Sequence, residues 1–243
     1  MSAKALWAAA ALSLAFAAQA AHADGVGATF AINYFKVAAG TDPDFPGGGT
    51  PIVLAGSSLG VNGLPVGANV NDIVSGQIAW WNPALNSHVI ADGTGTVSLP
   101  FDVAMYAPHG TGINDNAFFE TAVLSGNFTL AAPSTISFHM GSDDDSFLYV
   151  DGVLFGQNPG IHSISAVDFT SPLLGLGSHT IELFYADRQH TGAELSLSLN
   201  SQGIVITPTG GVPEPATWGL MILGFAGLGA SLRRARAKGL ATA

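Results

Sequence analysis

Gly141-Ser142-Asp143-Asp144-Asp145-Ser146-Phe147-Leu148-Tyr149-Val150-Asp151-Gly152 places three adjacent carboxylates ahead of a hydrophobic strand, and that strand ends in an Asp-Gly pair. Asp151-Gly152 is a type I′ hairpin signal, so Phe147–Val150 and Val153–Phe155 are expected to pair as neighbours. Upstream, Thr135 to Met140 alternates, with Ile136, Phe138 and Met140 on one face, the period of a half-buried strand. The triplet is therefore expected where two strands meet, at an edge of a sheet. Three consecutive carboxylates repel one another unless water bathes them or a cation sits among them. Calcium suits such a loop because it collects six to eight oxygen ligands from several segments. An EF-hand is excluded, since Leu148 stands where that loop needs glycine. In a regular strand Asp143 and Asp145 would point one way and Asp144 the other. Two neighbours aim at one ion only on a distorted backbone, for which a cis peptide would serve.

Outward from this stretch the chain reads as all-β. Phe30–Val37 is a first strand, Thr96–Leu99 and Phe101–Tyr106 flank Pro100, and Phe118 to Leu130 carries two short strands with a break near Ser125-Gly126-Asn127. His179–Tyr185 is a further strand. Leu195, Leu197 and Leu199 alternate with Ser196 and Ser198 in a closing strand with one wet face. Short strands punctuated by Gly and Pro, without an amphipathic helix, predict a jelly-roll-like β-sandwich or barrel over 24–200. Asp42 and Asp44 lie in a turn-rich loop and read first as turn caps. Trp80-Trp81 could stack on a sugar, but adjacent strand residues face opposite ways, so one is expected in the core and one on the surface. Ser201 to Gly211 reads as a tether.

The two ends are of a different kind. Lys4, the apolar run Ala5–Ala18 and Ala21-His22-Ala23 form a secretory signal peptide over 1–23. At the other end come Pro213-Glu214-Pro215, an apolar run from Thr217 to Leu232, and Arg233, Arg234, Arg236 and Lys238. As a helix, 217–232 would reach about 24 Å against a bilayer core of about 30 Å, with its basic end cytoplasmic. The segment 212–238 resembles the PEP-CTERM sorting signal of Gram-negative bacteria. That resemblance implies a C-terminal transmembrane helix, recognition by an exosortase and transient anchoring in the inner membrane. Delivery to the cell surface or an exopolysaccharide matrix would follow.

Between the ends, Lys36 and Arg188 are the only bases against sixteen carboxylates, a charge near −14. Nucleic acid is excluded as a partner, because its binding needs Lys and Arg to meet phosphates. A cation is favoured. The absence of cysteine excludes disulfides and thiolate metal sites.

Gly141–Asp145, Val150-Asp151-Gly152, Gly160-Ile161-His162 and Leu183–Gly192 together resemble a fibro-slime domain, a relative of the protective-antigen-type domains of adhesins and glycosidases. The resemblance implies a β-sandwich in which an Asp-Asp pair, here Asp143 and Asp144, holds Ca2+ that meets sugar hydroxyls. Asp145 stands where many relatives have glycine, and Asp145 and Asp151 are expected as turn residues. Arg188 is expected to pair with a carboxylate, with ligand contact as the alternative. Asp145, His162, Asp187 and Arg188 are candidate ligand or loop contacts; His162 and His190 could bind a metal, but hydrogen-bonded loop histidines are the favoured reading because their spacing matches no zinc motif.

Catalysis is disfavoured. Three consecutive Asp residues are a poor way to set two carboxylates about 5–9.5 Å apart across a glycosidic bond, and neither a Gly-x-Ser-x-Gly elbow nor a His-Glu-x-x-His helix is present. The expectation is a surface or matrix protein that binds calcium and, through it, extracellular polysaccharide. The alternative is a structural matrix protein with no small ligand.

Overall fold

The computed structural model describes residues 27–104 and 117–209. The expected signal peptide, residues 105–116 and the sorting segment 212–238 lie outside the described residues. Among those described, no helix is long and apolar enough to cross a membrane.

The described chain forms β1 (Thr29–Ala38), β2 (Ile73–Val74), β3 (Gln77–Ile78), β4 (Val89–Ser98), β5 (Phe101–Ala104), β6 (Phe118–Leu130), β7 (Ser137–Asp143), β8 (Asp145–Val150), β9 (Val153–Asn158), β10 (Ser165–Thr170), β11 (Gly177–Ala186), β12 (Glu194–Leu199) and β13 (Thr207–Pro208). One sheet runs β4-β1-β6-β11-β8-β9, with β13 also paired to β6; the other runs β10-β7-β12-β5. β2 and β3 make a separate two-stranded ribbon.

Side-chain alternation explains what lies on each face of the larger sheet. Leu148 and Val150 of β8, Ile181 and Leu183 of β11, and Leu124 of β6 point inward. They meet Phe138 and Met140 of β7 and Leu195 and Leu197 of β12 from the second sheet. The intervening residues Phe147, Tyr149, Phe184 and Phe119 point outward, yet they too are buried. The segment between β1 and β4 folds across that outer face and covers it with Phe45, Val53, Leu64, Trp80 and Trp81. The larger sheet is thus buried on both sides, which is why β8 is a continuous buried run and not an alternating one.

Several expectations are corrected here. β6 is one strand across residues 118–130. Gly126 does not break it; a side chain there would strike Ile206, so the glycine allows a close approach. Part of the expected tether packs instead, with Ile204 and Ile206 in the core and the Ile206 carbonyl accepting from Thr29 N–H. Both tryptophans are buried, because they lie in the covering segment and not on a two-sided strand.

The hairpin does form at Asp151-Gly152, where both residues have positive φ (50° and 71°), as a type I′ turn requires. The triplet, however, is not at a sheet edge. β7 lies between β10 and β12, and β8 lies between β11 and β9. Asp143-Asp144-Asp145 is the crossing from one sheet to the other, at an end of the sandwich.

Candidate functional site

The crossing is sharp because β7 ends at Asp143 and β8 begins at Asp145. The peptide between Asp143 and Asp144 is cis. Each of the three carboxylates then has a different set of partners. Asp144 accepts from the backbone N–H of His162 at 2.9 Å through Oδ1 and from that of Arg188 at 2.8 Å through Oδ2. Asp145, expected in a turn, is instead fully buried as the first residue of β8. Its Oδ2 accepts from Arg188 Nε at 2.7 Å, and its Oδ1 accepts from Gly160 N–H. Burial raises the Asp145 carboxyl, and the guanidinium opposes that rise.

Asp143 is the member closest to solvent, at 8 % exposure. Its main-chain carbonyl accepts from the Tyr185 hydroxyl at 2.6 Å. Burial, then the charge of Asp144 and a hydrogen bond between the two side chains, push the Asp143 carboxyl up to about 7. Two abutting carboxyl groups whose charges oppose each other offer oxygens at which a divalent cation can take the place of a proton. Glycine is required at 192, since its φ is +99° and a side chain there would run into the Asp143 carboxylate. The loop after β11 therefore passes directly over Asp143.

The remaining expected site residues are nearby with distinct tasks. His162 gives its backbone N–H to Asp144, while its Nδ1 lies 3.0 Å from the Ser163 carbonyl. Asp187 is fully buried; its N–H donates to the Glu120 carbonyl, and its Oδ1 accepts from Gln189 N–H. The His190 ring packs against Phe119. Among the described residues no third Asp, Glu or His atom joins Asp143 and Asp144 within 4.8 Å. A cation held there would take its other ligands from carbonyls, water or a bound molecule.

A second acidic knot was only half legible in the sequence. Asp42, Asp44 and Asp72 bring carboxylate oxygens within 4.8 Å of one another. Asp42 accepts from Asp44 N–H and Asn86 Nδ2 and lies 3.3 Å from His88 Nδ1. Asp44 accepts from Asn71 N–H and Nδ2, Asp72 N–H and Trp80 Nε1. Burial works against the Asp44 anion, but these donors hold its carboxyl below the usual range. Asp72 is pushed up to about 8 by burial and by hydrogen bonding to Asp42 and the charges of both neighbours. The Asp72 carboxyl therefore holds its proton more readily than an ordinary aspartate. Because protein donors already fill Asp42 and Asp44, this cluster ties distant parts of the covering segment to one another. Asp72 follows an apolar stretch with no ligand spacing, so only tertiary folding shows its role.

Residues 211–235 match the family described as the PEP-CTERM protein-sorting motif, a span that includes Pro213, Glu214 and Pro215. No curated protein sequence matches the chain. Among solved structures, the chain is similar to a PA14 sugar-binding domain from an RTX adhesin. The identity is 16 %, coverage is 74 % of this chain and 95 % of that one, and the TM-score is 0.40. It is also similar to the PA14 domain of the MpAFP antifreeze protein, at 13 % identity over 75 % and 82 % of the two chains, with a TM-score of 0.37. A family 35 carbohydrate binding module from an environmental isolate matches at 15 % identity over 43 % and 82 %, with a TM-score of 0.27. Likenesses this distant carry no residue roles.

Proposed function

We propose that this chain is an exported, exosortase-sorted protein of a Gram-negative bacterial surface or matrix. Its β-sandwich binds Ca2+ through Asp143 and Asp144 and presents that ion to glycan hydroxyls. The observation that carries the metal reading is the abutting pair of carboxyl groups at the sheet crossing, where burial and the charge of Asp144 push Asp143 up to about 7. The charge inventory supports it. Lys36 is paired with Asp92 at 2.5 Å and Arg188 with Asp145 at 2.7 Å, so neither basic side chain is available to neutralise the pair. Bound calcium would supply positive charge and open coordination positions for neutral oxygen ligands.

Export rests on the sorting motif at 211–235. Its Pro213-Glu214-Pro215 and apolar run supply the segment an exosortase would recognise and the transient anchor in the inner membrane. A binding role fits better than catalysis. The three carboxylates are consecutive in the chain, and Asp144 and Asp145 are engaged with backbone donors and the Arg188 guanidinium.

Isothermal titration of the chain with calcium, with chelator as reference, tests the metal reading, and a glycan array with and without calcium tests the second step. Asp143→Asn with Asp144→Asn should abolish both signals. A wild-type protein with no calcium heat and no calcium-dependent change in melting temperature would leave the structural matrix reading in its place.

A further inference from the structure

Arg188 is fully buried, as is its partner Asp145. A buried ion pair is a poor source of stability, because both charges lose their hydration. Its contribution is to geometry, and here that geometry converges on the proposed calcium site. The guanidinium donates through Nε to Asp145, through Nη1 to the Gly48 carbonyl at 3.0 Å and through Nη2 to the Gly49 carbonyl at 2.9 Å. Its face lies over the Trp80 ring, 4.6 Å from the centroid. In the same residue the main-chain N–H donates to Asp144, and the main-chain carbonyl accepts from Gly47 N–H at 2.6 Å.

One residue thus ties together the loop at 47–49, the acidic crossing and the chain leaving β11. Asp144 and Asp145 in turn hold the loop at 160–162 through His162 and Gly160. The guanidinium itself is directed at Asp145, which leaves the Asp143–Asp144 pair to be balanced by something else. We propose that Arg188 is a positioning residue, which fixes the direction of the Asp144 carboxylate and keeps Asp145 from competing for the ion; the inference rests on the calcium reading of that pair. Lysine cannot replace it, because an ammonium lacks the planar fork that reaches three acceptors in two segments. The acidic triplet therefore divides its labour: two carboxylates hold the cation, and the third, with Arg188, holds the two.

The test uses Arg188→Lys in the full chain, with two readouts at a temperature where wild type and variant are both folded. Calcium affinity should fall at least tenfold. In calcium-free protein, exchange protection of the His162 amide should fall at least tenfold, while the Leu183 amide in β11 stays protected. Wild-type affinity and wild-type His162 protection in the variant would overturn the proposal. So would a lowered melting temperature with both readouts unchanged, which is the signature of a purely structural pair. If Arg188→Lys does not fold, the charge-balanced double variant Asp145→Asn with Arg188→Gln is measured in the same way. Failure of both to fold would make Arg188 a folding residue and overturn the proposal. If wild type binds no calcium, the calcium reading fails by itself. Loss of His162 protection in the variant would then still establish that Arg188 positions Asp144, and retained protection would refute it.

Discussion

Calcium binding at Asp143 and Asp144 should weaken as pH falls through about 7. Burial and the neighbouring Asp144 push the Asp143 carboxyl up to about 7, so near neutrality a proton and a calcium ion compete for the same oxygens. For a group titrating at about 7, roughly one site in eleven is deprotonated at pH 6 and roughly ten in eleven at pH 8. Apparent affinity should therefore rise about tenfold between those pH values, equivalent to about 1.4 kcal/mol. Titration calorimetry at pH 6, 7 and 8, in two buffers of different ionisation heat, measures both the affinity and the proton release. About half a proton should leave per ion bound at pH 7. The sign for stability follows from the same shift. A carboxyl raised above its ordinary 3.8 contributes stability that is full below 3.8 and lost as pH rises through about 7. In chelator the melting temperature should drift down over that window, and calcium should reverse the drift because it takes the proton's place. An affinity flat within about twofold from pH 6 to 8, with no buffer-dependent heat, would refute the reasoning.

Asp72→Asn should flatten the alkaline end of the stability profile. The Asp72 carboxyl is raised from 3.8 to about 8, so its contribution is lost as pH climbs through that value; the amide donates without titrating, and the variant should melt above wild type at pH 9. His179 sits between Asp151 Oδ2 at 2.7 Å and the Gly175 carbonyl at 2.9 Å, and these acceptors raise it above 6.5. Its contribution is full below 6.5 and lost as pH rises through the raised value, so His179→Gln should cost about 1 kcal/mol at pH 5.5, kept small by the solvent around Asp151, and less at pH 9, measured by urea unfolding. Phe184→Ala should cost about 3–5 kcal/mol in the same assay, comparable to a mutation between the sheets, because the outer face of β11 is core as well. A cost near zero would show that the covering segment at 39–88 is not packed as described.

The parts of the fold that were legible in sequence rest on local physics. Asp151-Gly152 specifies its turn through the positive φ of two residues. Ile136, Phe138 and Met140, like Leu195, Leu197 and Leu199, alternate because one face is wet. The missed features rest on tertiary contact. Between residues 50 and 76 the apolar residues have no period because they fill a surface made by other strands, so the second core left no pattern. Trp80 and Trp81 looked two-sided only on the assumption that they lay in a strand; in the covering segment Trp80 reaches Asp44 and Trp81 reaches the Tyr185 carbonyl. Gly126 looked like a break because sequence cannot distinguish a glycine that ends pairing from one that makes room for Ile206. At the site, the triplet was conspicuous, but the burial of Asp145 against Arg188 depended on a partner 43 positions away.

The two acidic knots show why a carboxylate count is a poor guide to binding. Asp42, Asp44 and Asp72 are the tighter trio, yet donors from Asn71, Trp80 and Asn86 already occupy Asp42 and Asp44. A cation entering there would have to displace hydrogen bonds that hold distant parts of the covering segment to one another, and it would be compensated only by the release of one proton. At the other site Asp144 accepts from two backbone N–H groups, while Tyr185 grips the Asp143 main-chain carbonyl and Arg188 grips Asp145, so fewer donors crowd the pair. Binding there would take the place of the Asp143 proton and leave the Tyr185 and Asp145 contacts untouched. The free-energy cost of accepting an ion is therefore lower at the pair with fewer neighbouring carboxylates. Donor saturation, and not acidity, separates the two.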